Sequence, residues 1–220
     1  MHKSFVPLNQ NPIAMDEKHS GTLYYHVLLD ASGSMSRNIK EVLEEINDKL
    51  KLLKEDSSTS SKRCVASIWS FTTSVNRLRE HQFVQEIPSI QPEEYFASGM
   101  TALYDAVGLG LSAFHQNISG SFNKETDQAI FIVFTDGMEN SSREYNYSKV
   151  QDVIAVNKSR GYEVIFIGSD MQAYQESKDL SFGVSYYVDQ QNTKEAFMKM
   201  KESIRASYLR GEKFNLDRDE

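Results

Sequence analysis

The sequence predicts an open, doubly wound α/β sheet, mostly parallel, with helices on both faces. Three observations predict it. Short apolar runs alternate with amphipathic helical stretches along the chain, the pattern of strand–helix–strand units. The runs are apolar nearly throughout, which marks strands covered on both faces. Polar loops rich in Asp, Ser, Thr and Gly stand where strands give way to helices, the edge at which such sheets bind ligands. Right-handed crossovers then limit the topology.

The composition suits one soluble domain. The chain has 220 residues, 40% hydrophobic and 25% charged, enough for a real core. A net charge of −7 and a pI near 5.3 argue against a general nucleic-acid binder, which needs a basic stripe to meet phosphates. The single cysteine, Cys64, excludes an internal disulfide and fits a reducing compartment. Cys64 lies in an apolar run and reads as a small core residue. No apolar run approaches a membrane span, and residues 1–20 lack the apolar centre of a secretory signal. A cytoplasmic protein is expected. Asn-x-Ser triplets at Asn117, Asn140, Asn146 and Asn157 are then chance matches.

Residues 1–20 read as an irregular arm that Phe5, Val6, Leu8 and Ile13 would pin to the body. Leu23–Leu29 is the first strand, with His26 as a satisfied core histidine. Ile39–Leu53 is a helix whose stripe is Ile39, Val42, Leu43, Ile46, Leu50 and Leu53. Residues 55–61 follow as a polar loop. Cys64–Phe71 is the second strand. Val75–Val84 is mixed and charged, so it reads as a solvent-facing edge strand paired in a hairpin with the second.

Residues 87–99, with Pro88 and Pro92, connect to a helix opened by residues 98–106. Its apolar face is Leu103, Val107, Leu111 and Phe114, and Ala106, Gly110 and Ala113 let it approach a sheet. Ile130–Phe134 is the most strand-like run and ends in Thr135-Asp136-Gly137. The next helix carries Val150, Val153, Ile154 and Asn157. Ser148 with Gln151 offers it a capping box, Ser141 with Glu144 a competing start, and Gly161 ends it. Val164–Gly168 is a strand, Met171–Lys178 a short helix and Gly183–Val188 a weaker strand. A last helix, Thr193–Leu209, has Ala196, Phe197, Met200, Ile204 and Tyr208 as its stripe. The domain therefore spans residues 21–210, and residues 211–220 form a charged tail.

The chemistry concentrates in Asp30-Ala31-Ser32-Gly33-Ser34, where oxygen-bearing side chains fall at every second position. Alone, this cluster is as consistent with a turn and helix cap as with a site. Asp136 ends another strand, and Thr101 enters a helix from a third loop. If the strands bearing Asp30 and Asp136 are neighbours, both carboxylates face one crevice. Carboxylate and hydroxyl oxygens suit Mg²⁺ or Mn²⁺, with no thiolate or imidazole on offer for zinc. Ser32, Ser34 and Thr101 are neutral ligands, so if the two aspartates act partly through water the ion stays electron-poor and open to one more anionic oxygen. The helix start after Ser36 also favours anions.

With these loops placed, the chain resembles the von Willebrand factor A domain family, which includes integrin inserted domains. Residues 30–34, Gly99-Met100-Thr101-Ala102-Leu103-Tyr104-Asp105-Ala106 and Phe134-Thr135-Asp136-Gly137 match its metal-ion-dependent adhesion site in three parts and in order. The resemblance covers about residues 21–210. It implies a six-stranded sheet of order 3-2-1-4-5-6 with one antiparallel edge strand. It implies that Ser32, Ser34 and Thr101 ligate Mg²⁺ through hydroxyls, and that Asp30 and Asp136 act directly or through water. In the family, the position matching Thr101 shifts between direct and water-mediated contact. The implied partner is a protein that supplies an Asp or Glu. Stand-alone bacterial members look like partners of other proteins, sometimes AAA+ ATPases of the MoxR type.

Other residues carry weaker readings. Asp105 reads either as a charge that complements the start of its helix or, the favoured reading, as support for the site from behind its ligands. Glu139 and Asn140 stand either on its rim or in a plain exposed loop. Gly33, Gly99 and Gly137 read as serving backbone geometry. Tyr145 and Tyr147 read as surface packing or partner contacts, and the lysines of the last helix as a solvated face. The alternative to a binding module is a Mg²⁺-dependent hydrolase or phosphotransferase acting on phosphate esters. A haloacid-dehalogenase-type enzyme wants a second aspartate where Ser32 stands. A Gly-x-Ser-x-Gly elbow and a phosphate loop are also absent. The expectation is therefore a non-enzymatic binding module.

Overall fold

The computed structural model describes residues 20–37, 39–188 and 193–210. The expected pinning of the arm and the nature of the tail lie outside the described residues. So do the side chains of Ala196, Phe197, Met200 and Tyr208 in the last helix.

The elements in chain order are β1 (Thr22–Asp30), α1 (Ile39–Thr59), β2 (Arg63–Phe71), β3 (Val75–Phe83), α2 (Leu103–Ile118) and β4 (Gln128–Thr135). They continue with α3 (Tyr147–Ser159), β5 (Glu163–Gly168), α4 (Met171–Asp179), β6 (Val184–Tyr187) and α5 (Thr193–Arg210). One six-stranded sheet runs β3-β2-β1-β4-β5-β6. Only the β2–β3 pair is antiparallel. This is the expected order and hand of pairing. Among the described residues, no helix is long and apolar enough to cross a membrane.

Strand period explains the two cores. Every residue of β1 is buried. Its side chains alternate between faces. Leu23, Tyr25, Val27 and Leu29 pack with Val42, Ile46 and Leu50 of α1. Tyr24 and Leu28 pack with Val107, Leu111 and Phe114 of α2. Gly110 is what lets α2 lie close to the sheet. A Cβ there would stand 2.9 Å from the Phe131 ring and 3.2 Å from Leu28.

His26 is a core residue but is not satisfied as expected. It is fully buried, with ring centroids 4.9 Å from Phe131 and 4.9 Å from Trp69. Neither ring nitrogen has a hydrogen-bond partner among the described residues. Burial pushes its pKa down to about 3, so the ring stays neutral.

Two local readings are corrected. Helix α1 does not stop near Leu53 but runs to Thr59. The hydroxyls of Ser58 and Thr59 donate back to the carbonyls of Lys54 and Glu55. Asp56 is buried and holds the Arg205 guanidinium of α5 at 3.0 Å, so a tertiary contact keeps a polar stretch helical. Helix α3 is capped by neither predicted box. Asn146 is its N-cap, accepting from Lys149 N at 3.0 Å.

The edge strand β3 is half-exposed and charged, as expected. It also carries two register shifts against β2. His81, with φ 46°, turns its N–H onto Ser67 Oγ. Bulges of this kind spoil an edge for pairing with another chain.

Candidate metal centre

The sheet and three loop contacts bring the oxygen-bearing loops together. β1 and β4 are parallel neighbours with Leu29 opposite Phe134, so Asp30 and Asp136 emerge at the same sheet edge. The loop after β1 is fastened to the loop before α2. Gly33 N donates to Gly99 O at 3.1 Å, and Ser98 N donates to Ala31 O at 2.8 Å. Ala102 N donates to Thr72 O at 2.7 Å, drawing the Thr101 loop onto the end of β2.

Asp30 is fully buried. Its Oδ1 accepts from Ser32 N at 2.7 Å and its Oδ2 from Thr135 Oγ1 at 2.5 Å. The Tyr95 hydroxyl donates to the Asp30 carbonyl. Ser32 Oγ and Ser34 Oγ lie 3.0 Å apart, and Ser34 Oγ donates to Asp136 Oδ1 at 2.6 Å.

Gly137 triangulates the centre. A Cβ on it would lie 3.3 Å from Thr101 Oγ1, 3.7 Å from Asp30 Oδ2 and 3.9 Å from Ser34 Oγ. A side chain at residue 137 would therefore crowd a cradle shared by all three loops. Gly137 keeps that space open, which goes beyond the backbone role read from sequence. All five residues singled out in the sequence (Asp30, Ser32, Ser34, Thr101 and Asp136) stand in this one cluster.

The cluster holds its carboxyls reluctantly charged. Burial raises the pKa of Asp30; hydrogen bonds from Thr135 and Ser32 lower it, and the nearby Asp136 raises it again. Burial also raises Asp136, the Ser34 hydroxyl lowers it and Asp170 raises it. A cation between them would relieve both effects. Among the described residues no group of three or more His, Cys, Asp or Glu could hold a metal. The donors here are two carboxylates and three hydroxyls, a set that fits a hard cation such as Mg²⁺ or Mn²⁺.

Three other residues have roles the sequence reading missed or misplaced. Asp105 does not back the ligands. Its carboxylate accepts from the N–H groups of Arg143, Glu144 and Tyr145 at 2.7–2.9 Å. Glu139 does the reciprocal job, accepting from Tyr104 N at 2.8 Å and from Ser141 N and Ser142 N. Asn140 bonds to Thr101 from both its backbone and its side chain. Nothing in the spacing of residues 139–145 marks the contacts to Thr101, Tyr104 and Asp105, because those partners lie on a distant loop and the first turn of α2. Along the chain, Phe96 and Met100 precede Thr101, Met138 follows Gly137, and Met171 opens α4; all four are exposed.

Comparison with known proteins agrees with the fold. The family model described as von Willebrand factor type A domain matches residues 26–202. No curated protein matches the chain. Among solved structures, the pilus adhesin SpaC from Lactobacillus rhamnosus GG is 11% identical with a TM-score of 0.64. That match covers 84% of this chain and 30% of the adhesin, so the chain spans under a third of that protein. The vWF domain of the type V pili tip protein Mfa5 from Porphyromonas gingivalis is 12% identical, with TM-score 0.60, over 86% of this chain and 97% of that one. The manganese-loaded Plasmodium vivax TRAP protein is 16% identical, with TM-score 0.52, over 78% of this chain and 70% of that one. At these identities the likeness is one of fold.

Proposed function

Because the chain belongs to the von Willebrand factor type A domain family, we propose that it is a protein-binding module that works through a divalent cation, Mg²⁺ or Mn²⁺. One observation carries the reading: oxygens from three loops converge on the space beside Gly137, and Ser34 links them to Asp136. Asp30, Ser32, Ser34, Thr101 and Asp136 would hold the ion. When bound, the ion supplies an electron-poor coordination position for a carboxylate from outside. The manganese carried by the TRAP protein supports a divalent ion in this fold.

This chain's residues set what such a partner must look like. With Asp30 and Asp136 acting partly through water, the three neutral hydroxyls leave the ion short of negative charge and open to one further anionic oxygen. Exposed Phe96, Met100, Met138 and Met171 offer apolar contact around it, and methionine adapts to varied surfaces. The partner is thus a protein segment presenting an Asp or Glu among apolar side chains, with an AAA+ ATPase of the MoxR type as the first candidate to try. We place the protein in the cytoplasm, where its lone buried thiol stays reduced.

Titration calorimetry with MnCl₂ and MgCl₂ tests the site. Wild type should bind one ion, and Asp30→Ala and Asp136→Ala should lose it while keeping their folds. Unchanged affinity in both variants would remove the assignment. The reading is non-catalytic, since Ser32 stands where a phosphotransferase needs a general acid. Metal-dependent turnover of a phosphate ester, lost in Asp30→Ala, would overturn that part.

A further inference from the structure

The residue that fixes Thr101 is Asn140. Asn140 Oδ1 accepts from Thr101 N at 2.8 Å, and Asn140 N donates to Thr101 O at 3.0 Å. Both backbone polar groups of Thr101 therefore go to one residue. Such a two-point clasp fixes the Thr101 backbone in rotation as well as position, and it leaves Oγ1 facing the space beside Gly137. Thr101 is 3% exposed, whereas Asn140 lies at the surface. An exposed side chain thus controls a buried one.

Asn140 is itself held firmly. Glu139 Oε1 accepts from Ser141 N and Ser142 N at 2.8 and 2.7 Å, and Oε2 accepts from Ser142 Oγ at 2.6 Å and Tyr104 N at 2.8 Å. Asp105 N donates to Ser142 Oγ at 3.0 Å. The Asp105 carboxylate binds the three N–H groups from Arg143 to Tyr145. Segments 101–105 and 139–145 are laced into one body. The chain joins that body to Asp136 through only Gly137 and Met138.

We propose that Asn140 is the positioning residue for Thr101, so that Thr101 and segment 139–145 move as one body at the site. The loop carrying Asp30, Ser32 and Ser34 meets that body through Gly33 N on Gly99 O and meets Asp136 through Ser34 Oγ. The inference rests on the metal-binding reading above. It adds that Thr101 cannot change its distance to the centre unless the whole 139–145 segment moves with it. Residues that orient a ligand from behind commonly matter to a site nearly as much as the ligands do.

The test compares wild type, Asn140→Ala and Asn140→Asp, which keeps an acceptor oxygen at the same reach. Calorimetry with MnCl₂ should show Asn140→Ala weakened by about 10- to 100-fold and Asn140→Asp restored. Added charge alone could aid a cation, so a double variant, Asn140→Ala with Met138→Asp, supplies that charge without the acceptor. It should stay weak. Amide hydrogen exchange without metal gives the second readout: the Thr101 N–H should exchange faster in Asn140→Ala and stay slow in Asn140→Asp. Wild-type affinity in Asn140→Ala, or equal rescue by the double variant, would overturn the proposal. If wild type binds no ion, the metal reading falls by itself. Unchanged Thr101 exchange in Asn140→Ala would then overturn the positioning role separately.

Discussion

Ser34 Oγ donates a 2.6 Å hydrogen bond to Asp136 Oδ1, across 102 positions of sequence. The bond joins the loop after β1 to the loop after β4. It steadies a carboxylate whose charge burial already disfavours, as hydrogen bonds to a charged form do. Two reluctant carboxylates and a chain of hydroxyls are an expensive arrangement to bury without a cation, and the first prediction follows from that.

Divalent metal should stabilise the fold. At about 100 times its dissociation constant, Mg²⁺ or Mn²⁺ should add about 2.7 kcal/mol to unfolding. Calorimetric melting in MgCl₂ against EDTA reads this as a rise in Tm. Asp136→Ala should melt at the same temperature in both. An equal rise in that variant would put the ion elsewhere.

His26 should give the fold an acid-sensitive limb. The folded ring resists protonation until about pH 3, while the unfolded chain takes up the proton near pH 6.5. Stability from this group is full above pH 6.5 and falls as pH drops toward 3. By pH 5 the loss is about 2 kcal/mol. His26→Leu, which has no proton to take up, should flatten the difference between urea midpoints at pH 7 and pH 5. An undiminished difference in the variant would assign the acid limb to other groups.

Gly108 is held open for an aromatic ring. A Cβ there would stand 2.3 Å from Tyr145 Cδ1 and 2.5 Å from Cγ, the rooted end of the ring. Alanine gains helix propensity but must displace Tyr145, so Gly108→Ala should cost about 1–2 kcal/mol net in urea denaturation. In a Tyr145→Ala background the same change should cost nothing. A cost that persists there would contradict the steric account.

The Asp56–Arg205 pair should be asymmetric. Asp56 is 7% exposed and Arg205 46% exposed at the side chain. Arg205→Ala strands a buried carboxylate and should cost about 1–2 kcal/mol, discounted for the solvent around the guanidinium. Asp56→Ala with Arg205→Ala should cost less than the two single variants added together, and a double-mutant cycle checks this. Strict additivity would mean that the pair does not couple α1 to α5.

The strands and the five oxygen-bearing residues were legible because each signal is local. Leu23–Leu29 and Ile130–Phe134 are apolar without alternation, and Asp30, Thr101 and Asp136 each sit at a strand or helix boundary. What stayed hidden depends on partners far away in sequence. Residues 55–59 look like a loop until Arg205 arrives to meet Asp56. Asp105 looks like support for the site until Arg143, Glu144 and Tyr145 claim its carboxylate. Asn140 is one of several asparagines in polar stretches, and only the folded chain sets it against Thr101. Asn47 clasps Ile90 from α1 in a comparable way, equally without a local signature. The α3 cap was missed for a smaller reason: Asn146 competed with two serines for one job, and sequence spacing alone does not rank them.

The neighbouring placement of β1 and β4 has a mechanical side. A tug on the carboxylates of Asp30 and Asp136 pulls on the ends of two adjacent central strands. These strands point the same way and are paired from Leu23 with Gln128 to Leu29 with Phe134. They are flanked by β2 on one side and β5 on the other. Load applied there does not peel an edge. It is shared along the axes of the most deeply covered part of the sheet, where sliding either strand would break many hydrogen bonds at once.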